Sequence, residues 1–247
     1  MNTIGRALRW TCVGAFVILL FLVAGCSTTT KDIDPRRAAS IKRVGVISLL
    51  PTELLYQKIG VTVFNNERST QSVGMALNDA ARNGVESGLQ KGRLIEVIQL
   101  NVEIEAMKRD FRPGAIVFSW PPAAAKKALI DLAKRDELDA IVVVNEVFDS
   151  DNGHAGVKFF LRAGIGSISA AGMRSDIEAV LYDSQGEVLV SRHPKLGVLY
   201  ALDRPNMKPW GYALDENLDA ATRNHVVSSF QRLIYDGISQ SVTAMNL

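Results

Sequence analysis

The sequence predicts an α+β (mixed α/β) fold: a mixed sheet with helices packed on it, antiparallel hairpins in the second half, and a long C-terminal helix. Three observations predict it. Two short, nearly continuous apolar runs, 42–50 and 139–147, read as strands buried on both faces, with helix-spaced segments between them. Two short strands about a polar, glycine-ending link at 183–186 read as a hairpin. Val226, Phe230, Ile234, Ile238, Val242 and Met245 recur at helical spacing almost to the last residue. Helices laid on one mixed sheet bury all of these faces at once.

Taken in order, the first strand is Lys42-Arg43-Val44-Gly45-Val46-Ile47-Ser48-Leu49-Leu50, stopped by Pro51. A second is expected over 56–64, followed by a polar turn at Asn65-Asn66-Glu67. Residues 73–89 form a helix with Leu77, Ala80, Ala81, Val85 and Leu89 on one side, and Gly92 is its stop. Residues 94–100 are a strand and 102–109 a short helix. Ser119-Trp120-Pro121-Pro122 signals the start of a further helix, a hydroxyl cap followed by prolines where no amide donor is needed. Strands follow at 139–147, 157–161, 177–182 and 187–191, then an irregular loop at 201–213 and a helix from about Asp215. The uncharged, small-residue segment 163–173 reads as a mobile loop, with an interface segment that orders on assembly, or a hairpin tip entering a membrane, as its alternative.

The N-terminus carries an address. Arg6 and Arg9 precede an apolar run from Trp10 to Gly25, too short for a spanning helix and ended by Ser27 and three threonines. Leu22-Val23-Ala24-Gly25-Cys26 resembles the lipobox of bacterial lipoproteins. The resemblance implies cleavage between Gly25 and Cys26, with diacylglycerol on the Cys26 thiol and an acyl chain on the new amine. More than one acyl chain is what stable anchoring requires. Ser27 in place of an aspartate resembles the sorting pattern of outer-membrane lipoproteins, which implies a domain facing the periplasm. The chain therefore divides into a signal peptide (1–25), a lipidated cysteine with a flexible tether (26–40) and a single periplasmic domain (41–247).

Removing the signal takes two arginines and no acid from 28 basic and 26 acidic residues, leaving a balanced charge. No nucleic-acid partner is expected. Cys12 falls in the signal, so the mature chain has one cysteine and no internal disulfide. A hydrophobic core must supply the stability, and a chain of this length can bury one.

Catalytic and cofactor patterns are weak throughout, and neither an enzyme nor a cofactor is expected. Gly164-Ile165-Gly166 begins like a dinucleotide loop, but Ser169 stands where the third glycine belongs and no crossover helix follows. His154, His193 and His225 are too scattered for a zinc site, so no metal is expected. Asp149 to Gly153 lacks the downstream glutamate of a calcium loop. Asp215, Glu216 and Asp219 suit a helix N-terminus without further chemistry. Trp210 and Tyr212 in the irregular loop, with Ile165 and Ile168 in the small-residue segment, are the candidate partner contacts.

The opening strand Val44-Gly45-Val46-Ile47, the run Leu138-Asp139-Ala140-Ile141-Val142-Val143 and the hairpin from Leu181 to Val188 resemble a group of periplasmic α/β domains. These are the N-terminal domain of the Tol-system β-propeller protein, the curli secretion lipoprotein and the lipoprotein activators of cell-wall synthases. The resemblance implies work by binding an envelope protein or by assembling, homo-oligomers included. The expected function is thus a membrane-anchored binding or assembly module. Its alternatives are an envelope hydrolase without a recognisable motif and a subunit of an oligomeric secretion pore.

Overall fold

The computed structural model describes residues 32–59, 66–91, 93–111, 121–147, 156–163, 168–200 and 220–247. They belong to one unit, Asp32–Leu247. The elements are α1 (Pro35–Ser40), β1 (Arg43–Ser48), β2 (Glu53–Ile59), β3 (Glu67–Ser72), α2 (Ala76–Gln90), β4 (Glu96–Gln99), α3 (Ile104–Asp110), α4 (Ala123–Arg135), β5 (Ala140–Glu146), β6 (Val157–Ala163), β7 (Ile168–Asp183), β8 (Val188–Arg192), β9 (Lys195–Tyr200) and α5 (Ala220–Thr243). The mixed sheet, the packed helices, the hairpin and the long last helix are all present, as the apolar periodicities require.

The nine strands form one sheet in the order β3-β2-β6-β7-β5-β1-β4, with β8 and β9 also paired to β7. β1 runs parallel to β4 and β5, and β2 runs parallel to β6; the other pairs are antiparallel. The 16-residue β7 is the spine. β5 pairs with its residues 177–183 and β6 continues along residues 168–175, while β8 and β9 pair with 179–182 and 171–176. β1 and β2 follow the same plan beside β5 and β6. The sheet therefore has two halves in line, joined across a waist where every described strand except β7 is interrupted.

In the first half (β4, β1, β5, the end of β7 and β8) side chains alternate into two cores. Val44, Val46, Ala140, Val142, Val144, Ala179 and Leu181 pack with Leu77, Ala81, Val85 and Leu89 of α2 and with Phe230, Ile234, Ile238 and Val242 of α5. Ile47, Ile141, Val143, Val180 and Tyr182 face Met107 of α3 and Leu129 of α4. Helices α2 and α5 meet closely at Gly88, where a Cβ would lie 2.8 Å from the Ser239 carbonyl oxygen and from Val242 Cβ. In the second half (β3, β2, β6, the start of β7 and β9), Leu54, Tyr56, Val157, Phe159 and Met173 join the α2–α5 core.

Four expectations are corrected. The tether assigned to 26–40 is too long: Pro35–Ser40 is helical, capped by the Asp34 carboxylate on the amides of Arg36 and Arg37. Ile33, Ala38 and Ile41 are buried, and this apolar area offsets the ordering cost that the polar composition suggested. Of the turn expected at 65–67, Glu67 instead opens the all-polar strand β3, paired with β2 from Glu67↔Lys58 to Ser72↔Glu53, and Asn65 lies outside the described residues. Within the segment read as a mobile loop, residues 168–173 lie in β7, paired with β6 throughout and with β9 from Ala171 on, so backbone pairing orders residues too small to pack by themselves. Helix α4 begins at Ala123 with Pro122 at its cap position and no side-chain capping bond, and Ser119 lies outside the described residues.

Candidate functional site

The waist gathers buried polar groups, Ser48, Asn78, Asn145 and Ser175 among them. At its centre β5 ends and β6 begins, and β7 spans the gap. The Val147 amide donates to the Asp176 carbonyl (2.9 Å), and the Asp176 amide donates to the Gly156 carbonyl (2.8 Å). Gly156 has no room for a side chain, because a Cβ there would sit 2.3 Å from the Asp176 carbonyl oxygen. The Val157 amide at the start of β6 donates to Glu146 Oε1 at 3.0 Å. Burial pushes the Glu146 carboxyl above its ordinary range, against the pull of the Val157 amide and the Lys108 charge. On the neighbouring strand the β1–β2 break is clasped by Asn78 of α2. Its side chain accepts from the Leu50 amide (3.0 Å) and donates to the Leu50 carbonyl (3.1 Å).

Beside this junction lies the one described group in which a histidine meets an acid and a hydroxyl. Glu178 stands opposite Asn145 in the β5–β7 register. Its carboxylate lies 3.4 Å from His193 Nε2 and accepts from Ser191 Oγ at 3.5 Å; Ser191 Oγ is 3.3 Å from the same His193 nitrogen. Glu178 is only 16% exposed against 51% for His193. Desolvation raises the Glu178 carboxyl, and His193, Ser191 and Asn145 oppose the shift. The residue types are those of a hydrolase, but the wiring differs. A relay places the acid on one ring nitrogen and the serine on the other. Here both partners meet Nε2, beside the short link between β8 and β9, so the geometry is not that of a relay.

Sequence reasoning passed over Glu178, although a signal existed. Ile177, Ala179 and Leu181 point into one core, so Glu178 must share the other face with Val180 and Tyr182, where a carboxylate is out of place. The candidates named from sequence are not brought together. His225 is exposed on α5, and Ile168 begins β7 paired with Ala163. Gly25, Cys26, Ile165, Trp210, Tyr212, His154, the 149–153 segment and the 215–219 acids lie outside the described residues. Among the described residues no group of three or more His, Cys, Asp or Glu is placed to hold a metal. No described helix is long and apolar enough to cross a membrane.

An open groove of about 410 Å³ runs between α2 and α5, lined by Asn83, Glu86, Ser87, Gln90, Lys91 and Tyr235. Its polar groups are engaged with one another or nearby. Gln90 and Gln99 donate to Glu86, and the Lys91 ammonium donates to Ser239 Oγ at 3.2 Å. It is a solvated seam between helices.

No family model and no curated protein matches the chain. Among solved structures it is similar to the PelC dodecamer of Paraburkholderia phytofirmans. A point variant of PelC gives 12% identity and a TM-score of 0.33 over 86% of this chain and 93% of that one. A second crystal form of the dodecamer gives 14% and 0.31 over 86% and 94%. A lipoprotein of Neisseria meningitidis gives 15% and 0.29 over 78% and 97%. Likeness of this degree assigns neither a family nor an activity.

Proposed function

We propose that this chain is a bacterial envelope lipoprotein, held at a membrane by lipid on Cys26, whose domain works there by binding and assembly. The observation that supports it most is the short path from thiol to fold. The fold starts no later than Asp32, whose carboxylate meets Arg192 at 2.7 Å, with Ile33 already buried. Six Cα steps from Cys26 reach no further than about 20 Å, so a lipidated chain keeps its domain against the bilayer. A domain confined in this way meets partners in the plane of the membrane at raised effective concentration. The partner is an envelope protein, further copies of this chain included, and the outer membrane's periplasmic face is the assigned location. Cross-linking in intact envelopes, followed by detergent extraction and mass spectrometry, tests the reading. A complex of defined mass containing diacylated Cys26 supports it, and a ring-sized mass selects the pore-subunit form. A lipidated monomer with no cross-linked partner refutes assembly.

A second reading, an envelope hydrolase, is favoured by the Glu178–His193–Ser191 group alone. Labelling of Ser191 by a fluorophosphonate, abolished in His193→Ala, would support it. An unlabelled Ser191 in folded protein would remove it.

A further inference from the structure

The flank of the domain where the chain enters carries an apolar side chain that nothing in the fold accounts for. Leu94 is fully exposed, whereas the other large exposed apolar residues, Met75, Val188 and Tyr235, keep most of their surface covered. Leu94 lies in the link between α2 and β4. That link is fixed to the end of α1: the Arg93 guanidinium donates to the carbonyls of Ala38 (3.0 Å) and Ala39 (3.5 Å), and the Glu96 amide donates to the Lys42 carbonyl (2.8 Å). Six residues of helix span about 9 Å, so Leu94 sits within a short distance of the point where the chain arrives from Cys26.

The charges on this flank favour an anionic surface. Arg36, Lys42, Lys91 and Arg93 are exposed and take part in no ion pair among the described residues. Arg37, Arg43 and Arg192 are paired with Asp183, Glu96 and Asp32; Asp34 caps α1, Asp139 accepts from the amides of Lys42 and Arg43, Asp136 is paired with Arg135, and Glu86 accepts from Gln90 and Gln99. One leucine and a few cations bind a bilayer weakly by themselves. On a domain whose first residue is tethered within about 20 Å of the surface by a lipidated cysteine, they need only bias orientation, which a weak contact can do.

We propose that this flank is the face that rests on the bilayer, with Leu94 entering the headgroup boundary and Arg36, Lys42, Lys91 and Arg93 meeting lipid phosphates. The inference rests on lipidation of Cys26. Lipid occupies that thiol and Cys12 leaves with the signal, so a cysteine introduced elsewhere can be labelled selectively. Lipidated Leu94→Cys and Thr70→Cys proteins, each carrying an environment-sensitive fluorophore, would be reconstituted in phosphatidylethanolamine vesicles containing a minority of phosphatidylglycerol. The label at 94 is expected to shift to the blue and to be quenched by spin-labelled lipid, while the label at 70, on β3, stays in water. High salt, or Lys91→Glu with Arg93→Glu, should reverse the shift. A water-exposed label at 94 in protein whose mass confirms the lipid overturns this inference alone. An unlipidated Cys26 overturns it together with the reading above. A blue shift that spin-labelled lipid does not quench assigns Leu94 to a protein contact and also overturns it.

Discussion

The two halves of the sheet hang from one strand, yet they are built by different rules. In the first half the sheet is covered on both faces, so β5 reads Ala-Ile-Val-Val-Val and every one of those residues is buried. In the second half the described buried apolar residues lie on a single face. β2 accordingly alternates, with Leu54 and Tyr56 buried against half-exposed Leu55 and Gln57. The Tyr56 and Phe159 rings meet with centroids 5.6 Å apart in the row that faces α5. On the opposite face Phe160 lies over Gly172, its ring filling the space that a side chain at 172 would need. Two-sided burial makes a strand conspicuous and intolerant of change; one-sided burial makes it inconspicuous and forgiving.

The largest test of that contrast is a pair of substitutions. Ile141→Asn places an unpartnered amide at a fully buried position of the first half. Losing the side-chain burial costs about 1.5–3 kcal/mol, and the stranded polar group adds about 1–3 kcal/mol. Leu55→Asn, at a half-exposed position of β2, should cost about 1 kcal/mol or less. Urea unfolding monitored by circular dichroism reads both. Similar costs for the two variants would remove the distinction between the halves.

Next in size is the joint between them. Gly156→Ala drives a methyl into the Asp176 carbonyl and should cost about 1–3 kcal/mol through backbone displacement. The location of the damage is more informative than its size. Amide hydrogen exchange should quicken in β6 and β2 while β5 and β1 keep their protection, because the first half retains both of its cores. Uniform loss across all four strands would show that the waist does not separate them.

The same contrast governs what could be read in the sequence. Both inner strands of the first half, the face of α2 and the α5 stripe were legible because their apolar periods are long and uninterrupted. The start of β7 was not, since Ala170, Ala171 and Gly172 carry no hydrophobic period and owe their order to β6 on one side and, from Ala171, β9 on the other. β3 was hidden for a related reason: a polar edge strand is defined by its partner's backbone, which composition does not record. α1 was missed because three well-spaced apolar residues, Ile33, Ala38 and Ile41, were outweighed by their charged neighbours. The Glu178 group needed a register. His193 and Ser191 sit two residues apart, but the acid that joins them comes from the neighbouring strand.

A smaller effect should follow from releasing the entering chain. Arg192 joins Asp32 to the Ala244 carbonyl at the end of α5, at 2.7 and 3.1 Å. Arg192→Ala should lower global stability by about 1 kcal/mol or less, in keeping with a largely exposed acid partner. Proteolysis near residue 32 should nevertheless accelerate, since α1 buries few side chains of its own. Unchanged cleavage there would mean that Ile33 and Ala38 hold the segment without the clamp.

The smallest effect at any single pH is the most diagnostic of the waist. Glu146→Gln keeps an oxygen to accept the Val157 amide but removes a carboxylate that burial makes costly to ionise. The folded protein holds the Glu146 proton at pH values where the unfolded chain, near the usual carboxylate range of about 4.3, has released it. In that window the folded state binds more protons than the unfolded one, so stability attributable to this group falls as pH rises and stays low above the folded value. The variant lacks this slope. Denaturation curves taken across a pH series should therefore bring wild type and Glu146→Gln together at the acid end and separate them towards neutrality, with the variant the more stable. Glu178→Gln should move the same way to a lesser extent, because its carboxylate also loses the attraction of His193. Parallel curves for Glu146→Gln would mean that solvent reaches the junction, and the waist would then be a wet seam rather than a closed joint between two differently built halves.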